Sequence, residues 1–420
     1  MRIVYQFRSV PKDLWLPLPQ NKNKSMKRLD ELNFNQQRAI VRVDFNVPLN
    51  DELQITDATR IHAAKPTIQA ILAKGGSCIL MSHLGRPKGV DERLSLKHLL
   101  PELEKILGVK VHFAKDTIGP EAQHKAKALQ PGEVLLLENL RFHAEETAGE
   151  ESFAKALAQL GDLYINDAFG TAHRAHASTT IIARHFAEKK AFGKLLAQEM
   201  DAIDKILESG QTPVLAILGG SKVSSKITII ENILSKVDHL IIGGGMAYTF
   251  IKAQGGRIGD SICEDEYLDY ARELLAKAVD QQVQIHLPVD VLATTDFSND
   301  KPTKTMKINE IEDGWQGLDA GPESLLNFQK VVKMCKTILW NGPLGVFEFS
   351  TFANGTIELG NHIAAATAAG SFSLVGGGDS VAAVKQFGLA DKVSYVSTGG
   401  GAMLESLEGK TLPGIAALKA

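Results

Sequence analysis

From Arg38 onward the chain alternates short runs rich in Val, Ile and Leu with longer stretches in which apolar residues recur every three or four positions. Short unbroken apolar runs suit strands buried on both faces, and the longer period suits helices packed on one side. The alternation therefore predicts βαβ units around parallel sheets. It falls into two blocks. In the first the strand-like runs are "AIVRVDF", "SCILMSH", "EVLLLENL" and "DLYINDAF", with helices expected at "SLKHLLPELEKILG" and "ESFAKALAQLG". In the second they are "VLAILGG", "HLIIGGG", "VQIHLPVDVLA", "TILWNGP", "FSLVGGGD" and "VSYVSTGGG". Between the blocks, "GKLLAQEMDAIDKILESG" (193–210) has helix-forming composition and no strand signal, so it reads as a connecting helix at a domain boundary.

A length of 420 residues exceeds what one compact core usually holds and agrees with two domains. The first 25 residues, "MRIVYQFRSVPKDLWLPLPQNKNKS", are broken by Pro11, Pro17 and Pro19 and lack the apolar stretch of a secretory signal. They read as a disordered or non-native extension, Met26 offering a start of its own, with a dispensable arm as the alternative. The expected organisation is thus the extension 1–25, a first domain 26–192, the helix 193–210 and a second domain 211–408.

Charge is balanced, with 46 Lys+Arg against 49 Asp+Glu, so bulk charge directs the chain to neither nucleic acid nor membrane, and any anion site must be local. No run is long and apolar enough to span a bilayer. Cys78, Cys263 and Cys335 are odd in number and lack metal-like spacing; they read as reduced thiols of a cytoplasmic protein.

In open parallel sheets ligands bind beyond the carboxyl ends of the strands. In the first block those ends carry Arg42, Asp44 and Asn46 in "RVDFN", His83 and Arg86 in "SHLGRP", Arg141 in "ENLRF", and His173, Arg174 and His176 in "DAFGTAHRAHAST". With Arg60 they make a basic set whose guanidinium forks suit phosphate or carboxylate oxygens. An arginine between the two histidines would repel a cation, so an anion site ranks ahead of a solvated turn, and a zinc site comes last.

In the second block the strand ends carry glycines: "LGGSK", "GGGMA", "GGGDS" and "TGGGA". Glycine runs before a helix let backbone N–H groups approach an anion, most simply a nucleotide phosphate. Neither G-x-x-x-x-G-K-[ST] nor G-x-G-x-x-G is present, which argues against a P-loop NTPase or a standard dinucleotide half. Asp379 in "GGGDS" could hold a metal bridging phosphates or cap a helix. Lys222 and Lys226 in "GGSKVSSKI" are expected four apart on one helix face, where they either flank an anion or stand in solvent.

The motifs "RVDFNVPL", "SHLGRP", "LENLRF", "NDAFGTAHRAH", "ILGGSKVSSKI", "GGGMAYTF", "LDAGPES", "WNGPLGVFE", "GGGDS" and "STGGGA" resemble, in order and separation, those of the phosphoglycerate kinase family. The resemblance runs from about Met26 to the C-terminus. It implies an α/β fold of two doubly wound parallel-sheet, Rossmann-like domains joined by a hinge helix, with a C-terminal tail, 409–420, returning to the first domain. It implies reversible phosphoryl transfer between MgATP and 3-phosphoglycerate, giving ADP and 1,3-bisphosphoglycerate, by a cytoplasmic monomer that closes over its substrates.

By matched motif, Arg42, Asp44, Asn46, Arg60, His83, Arg86, Arg141, His173, Arg174 and His176 fall to the 3-phosphoglycerate site. Lys222, Lys226, Gly243, Gly244, Gly317, Asn341, Glu348, Gly376, Gly377, Gly378, Asp379 and Ser380 fall to the nucleotide site, with Asp379 on Mg²⁺ and Arg60 and Lys222 as catalytic cations. Two departures stand out: "AHAST", where the family commonly has serine after the second histidine, and the N-terminal extension. Two other classes remain as alternatives, a two-domain nucleotide-dependent dehydrogenase and a non-enzymatic anion-binding protein.

Overall fold

The computed structural model describes residues 27–419, so the expectation for residues 1–25 lies outside the described residues. Two six-stranded parallel sheets organise the chain. The first contains β1 (Arg38–Val43), β2 (Ser77–Met81), β3 (Val111–Phe113), β4 (Val134–Leu136), β5 (Leu163–Asp167) and β6 (Lys190–Phe192) in the order β3-β4-β2-β1-β5-β6. The second is built from β7 (Val214–Leu218), β8 (His239–Ile242), β10 (Gln284–His286), β15 (Thr337–Asn341), β16 (Phe372–Val375) and β17 (Tyr395–Val396), ordered β10-β8-β7-β15-β16-β17. The connections lead outward in opposite directions from β1 and β5 in the first sheet and from β7 and β15 in the second, leaving a switch point between each pair. The architecture is the doubly wound α/β fold that the residue pattern predicts.

The period of two along each strand decides which layer it feeds. On β1, Ala39, Val41 and Val43 enter a core shared with Ile61, Ile68 and Ile71 of helix Thr59–Ala73. Ile40 points to the other face, into a cluster that continues through Leu196, Ile203 and Ile206 of the connecting segment to Val214, Ala216 and Leu218 of β7. Leu412, Ile415 and Leu418 of the C-terminal tail join the same cluster. One apolar layer thus runs from the first sheet through the connecting helix to the second. The tail is also tied to the first half by Gly414 N–H donating to Ala172 O at 2.9 Å.

The connecting segment is α-helical over Lys194–Asp204 and widens to a π-type turn over Lys205–Ser209. Gly193 sets its start. A Cβ there would lie 2.1 Å from Asp167 Oδ1, because the Asp167 carboxylate at the end of β5 accepts the Leu196 N–H, at 3.2 Å.

Three expectations change. The run "VQIHLPVDVLA" is two strands in different sheets: β10 joins the parallel sheet, whereas β11 (Asp290–Thr294) forms an antiparallel sheet with β12 (Thr303–Lys307) and β14 (Gln316–Ala320). Pro288, between them, cannot donate to a ladder, and its ring disfavours one continuous strand. The short edge strands β3 and β6, and the minor pair β9 (Arg257–Ile258) and β13 (Glu310–Ile311), carry too few apolar residues for the pattern to show. Finally, the helix after "GGSK" begins only at Ile227. Ser224 is instead held in a turn by Glu264, which accepts its N–H at 3.0 Å and its hydroxyl at 2.6 Å. Lys222 and Lys226 therefore do not share a helix face.

Asp167 gives a test of this frame. Burial pushes its carboxyl up to about 6, against the bonds from Thr67, Leu196 and Leu195 that favour the ionised form. A carboxyl raised in the fold contributes stability fully below its unfolded value of about 3.9, and this is lost as pH rises through about 6. Asp167→Asn should therefore gain on the parent between pH 4 and pH 7.5, on the order of 2 kcal/mol in the difference of the two comparisons. Thermal unfolding at both pH values measures it; an offset independent of pH would show that the carboxyl titrates normally.

Candidate active site

The first group of functional side chains sits at the carboxyl edge of the first sheet, around the switch between β1 and β5. Arg42 is the last buried link of the Ile40 row and is 1% exposed. Its Nε donates to Ser178 Oγ at 2.9 Å, Nη1 to Val43 O, and Nη2 lies 3.2 Å from His83 Nδ1. Arg60 rides on the first turn of helix Thr59–Ala73, not on a strand end, and reaches back to Asp44 Oδ1 at 3.2 Å and Asn46 O at 2.9 Å. Asn46 Oδ1 in turn accepts the Gly85 N–H at 2.8 Å, and Arg141 Nη1 donates to Gly85 O at 2.6 Å. The loops after β1, β2 and β4 are thereby laced together. Arg86 and Arg174 are exposed beside them.

So many cations in one place alter the neighbouring titrations. Burial, and then Arg42, Arg141 and Arg60, hold His83 well below the usual imidazole range. His176 is pushed down to about 4 by burial and then by Arg42, Arg141 and Arg174. His173 is lowered, first by burial. Even Arg141 is lowered, by burial and then by Arg42 and Arg174. At neutral pH the histidines are uncharged hydrogen-bonding groups, and the arginines supply the positive field.

Two buried residues that the motif reading passed over frame this pocket. Asn139 accepts the Leu84 and Arg141 N–H groups at 3.2 and 3.0 Å and donates to Leu84 O and Leu94 O, both at 2.8 Å. Glu138 accepts Ser95 Oγ at 2.6 Å and Leu96 N–H at 2.8 Å. Both stand inside the quoted "LENLRF", but nothing local distinguishes a framing side chain from a ligand-facing one.

The second group lies at the carboxyl edge of the second sheet, around the switch between β7 and β15. Here close backbone approach governs. A Cβ at Gly244 (φ +67°) would fall 2.7 Å from Gly220 N, and one at Gly243 would meet Leu344 at 2.3 Å. Gly377 has φ +95° and leaves no space for a side chain against Asn341 Nδ2, whereas Gly378 faces open space. Asn341, 1% exposed, links the loops: the Lys226 ammonium donates to its Oδ1, and its Nδ2 donates to Gly376 O at 2.6 Å. Gly342 N–H donates to Ser380 Oγ at 2.6 Å. Burial lowers Lys226, with Asp379 opposing.

Lys222 is exposed at the loop tip. Asp379 is exposed in the first turn of helix Gly378–Gln386, whose N-cap is Gly377, so it does not cap that helix. Gly317 lies in β14, where a Cβ would strike the Tyr248 hydroxyl at 2.0 Å, and Glu348 is exposed after the "WNGPLGVFE" turn. Among the described residues, neither hydrogen-bonds to Lys226 or Asn341.

Contacts also cross between the halves. Lys385, on the helix that begins at the GGGDS loop, donates to Asp57 Oδ2 at 2.8 Å and lies 3.2 Å from Thr59 Oγ1, one residue before Arg60. Lys385, and then Thr59, hold the Asp57 carboxyl down at about 2. Glu199 of the connecting helix accepts Ser397 Oγ, Thr398 N–H and Thr398 Oγ1, each at 2.7 Å.

The sequence matches the model of the family described as phosphoglycerate kinase over residues 29–410. A phosphoglycerate kinase of Porphyromonas gingivalis is 54% identical over 415 residues, covering 93% of this chain and 99% of that protein. A cytosolic phosphoglycerate kinase of Nicotiana tabacum is 50% identical, with 94% and 98% covered. Among solved structures, phosphoglycerate kinase from Coxiella burnetii superposes with a TM-score of 0.87 at 41% identity, over 94% of this chain and 99% of that one. The enzyme from Pyrococcus horikoshii OT3 gives 0.78 at 30% identity, over 94% and 98%.

Asn341→Ala should loosen the second pocket and leave the first intact. It strips Gly376 O and the Lys226 ammonium of a buried partner, at a cost of about 1–3 kcal/mol. Amide hydrogen exchange should rise at Gly376–Ser380 and around Lys226 while the first sheet keeps its protection. A uniform rise across both sheets would show general destabilisation instead.

Proposed function

The chain belongs to the phosphoglycerate kinase family, and from that premise we infer that it transfers a phosphoryl group reversibly between ATP and the carboxylate of 3-phosphoglycerate. The products in the forward direction are ADP and 1,3-bisphosphoglycerate, in glycolysis and gluconeogenesis. The observation that carries the reading is the pairing of an arginine-rich pocket on one sheet with a glycine-lined pocket on the other. The dehydrogenase and anion-carrier readings find no support among these relatives.

We propose that Arg42, Asp44, Asn46, His83, Arg86, Arg141, His173, Arg174 and His176 hold 3-phosphoglycerate, the guanidinium groups taking the remote phosphate. Lys222, Lys226, Gly243, Gly244, Gly317, Asn341, Glu348 and Gly376 to Ser380 hold the nucleotide. Asp379 is an exposed hard oxygen donor next to Gly378, which opens to free space. A single carboxylate so placed fits Mg²⁺ carried in by nucleotide phosphates. When bound, that ion offsets phosphate charge; Asp379 would hold it.

The attacking group is a carboxylate, ionised at neutral pH, so no general base is required. The neutral His83 and His176 serve as hydrogen-bonding groups. Phosphoryl transfer rests on positioning and charge stabilisation, which here fall to Arg60 from one half and Lys222 from the other. Their approach requires the cleft to close and exclude water. The connecting helix and the returning tail are the proposed hinges of the two domains, 26–192 and 211–408. We further propose a cytoplasmic monomer; among the described residues no helix is long and apolar enough to cross a membrane.

A coupled assay tests the central reading: ADP should form from MgATP only when 3-phosphoglycerate is present, and absence of that dependence would overturn it. Arg60→Ala and Lys222→Ala should each bind both substrates yet lose on the order of 10²-fold to 10³-fold in kcat. Because the two groups act on one transition state, the double variant should lose less than the product of the single losses. A loss equal to that product would mean independent roles.

A further inference from the structure

Arg42 presents a problem that its own contacts do not solve. It is a permanent cation, buried, and its three partners are a hydroxyl, a carbonyl and an imidazole that is uncharged at neutral pH. A buried charge needs a counter-charge as well as hydrogen bonds. Asp44 turns its Oδ1 to Arg60. Behind Ser178 stands another carboxylate, Glu146, itself 1% exposed.

Glu146 Oε1 accepts the Ser178 hydroxyl proton at 2.6 Å, Oε2 accepts the Ser178 N–H at 2.9 Å, and its backbone O accepts the Ala177 N–H at 2.9 Å. A hydroxyl has one proton. Since that proton goes to Glu146, Ser178 Oγ can only accept from Arg42 Nε, and the relay has one direction: guanidinium, hydroxyl, carboxylate. The same three bonds fix the chain immediately after His176, in the loop that also carries His173 and Arg174. Tyr164 of β5 supports it from beneath, its hydroxyl donating to Ser178 O at 2.9 Å. Glu146 lies in the short helix Ala144–Ala148, five residues after Arg141, so one short segment supplies both an arginine of the pocket and the anchor of the facing loop.

We propose that Glu146 is a positioning residue for the 3-phosphoglycerate pocket, holding Arg42 and the His173–His176 loop in register through Ser178. The inference rests on the functional reading above. Glu146 does not touch the substrate; it acts by keeping the buried arginine and the loop where an incoming anion meets them. Its sequence surroundings, "HAEETAGE", look like a solvated acidic turn.

The test is a comparison of Glu146→Gln, Ser178→Ala and the double variant in steady-state kinetics with both substrates. Glu146→Gln keeps the shape, removes the counter-charge, and sets its amide NH₂ against either the Ser178 N–H or the Ser178 hydroxyl, which can then no longer donate there. The expected result is a KM for 3-phosphoglycerate raised on the order of tenfold, with KM for MgATP and kcat changed by less than about threefold, because misplaced anion contacts cost uniform binding. Ser178→Ala should shift the same parameter less, and the double variant should be no worse than Glu146→Gln alone, since both changes break one relay. A merely structural role would lower the melting temperature and the active fraction while leaving both KM values in place, and that outcome overturns the proposal. So would additive losses, or equal changes in the two KM values. If Glu146→Gln fails to fold, Ser178→Ala decides by the same split. Parent enzyme that shows no dependence on 3-phosphoglycerate would instead sink the functional reading itself.

Discussion

The structure depends on holding several cations close together at one sheet edge. Arg42, Arg60, Arg141 and their neighbours converge at the end of one sheet, where like charges repel and the low polarity of the interior strengthens the repulsion. The fold answers it in three ways. The nearby histidines give up their protons: His83 is held well below the usual imidazole range and His176 is down at about 4. The guanidinium groups are tied to backbone oxygens, as in Arg141 to Gly85 O and Arg60 to Asn46 O. Two carboxylates stand close to the arginines, one directly and one through a hydroxyl: Asp44 beside Arg60, Glu146 behind Ser178. The result is a pocket whose positive field is built into the fold, which would leave the proposed anion little reorganisation to cause.

The second pocket solves the opposite problem. A polyanionic nucleotide needs many donors with little steric bulk, and backbone N–H groups at glycines supply them. The cost is a set of loops with few side chains to order them. Asn341 offsets it by joining Lys226 to Gly376 O, and Ser380 adds a bond from Gly342 N–H. The two pockets differ in kind, and the proposed assignment follows from it: rigid side-chain cations suit a small acid, whereas a cradle of main chain suits an extended phosphate chain.

Between them the connecting helix is packed by one apolar layer that continues into both sheets through Leu196, Ile203 and Ile206. The Lys385–Asp57 pair spans the cleft one turn from Arg60 and on the helix that begins beside Asp379. As an exposed pair it contributes little to stability. Its location nonetheless joins the start of the helix that carries Arg60 to the helix that carries Asp379.

The alternation of apolar runs was legible without any structure, because burial on both faces of a parallel strand imposes a local pattern. So were the arginines and glycines at strand ends, since loops at one edge of such a sheet follow its strands in order. Three features escaped. The break at Pro288 sent β11 to another sheet, a choice made by partners nine to twenty-nine residues away. Lys222 and Lys226 were separated because Glu264, forty residues on, captures Ser224 in a turn. Nothing along the chain marks Glu146 apart from the acidic residues around it; the fold sets it behind Ser178, thirty-two residues later, and buries it there. Local periodicity determined the elements, and the motifs that resemble the phosphoglycerate kinase family pointed to its chemistry. Which charges compensate which was decided only by tertiary packing, because a buried ion's partner is chosen by distance in space and not by distance along the chain.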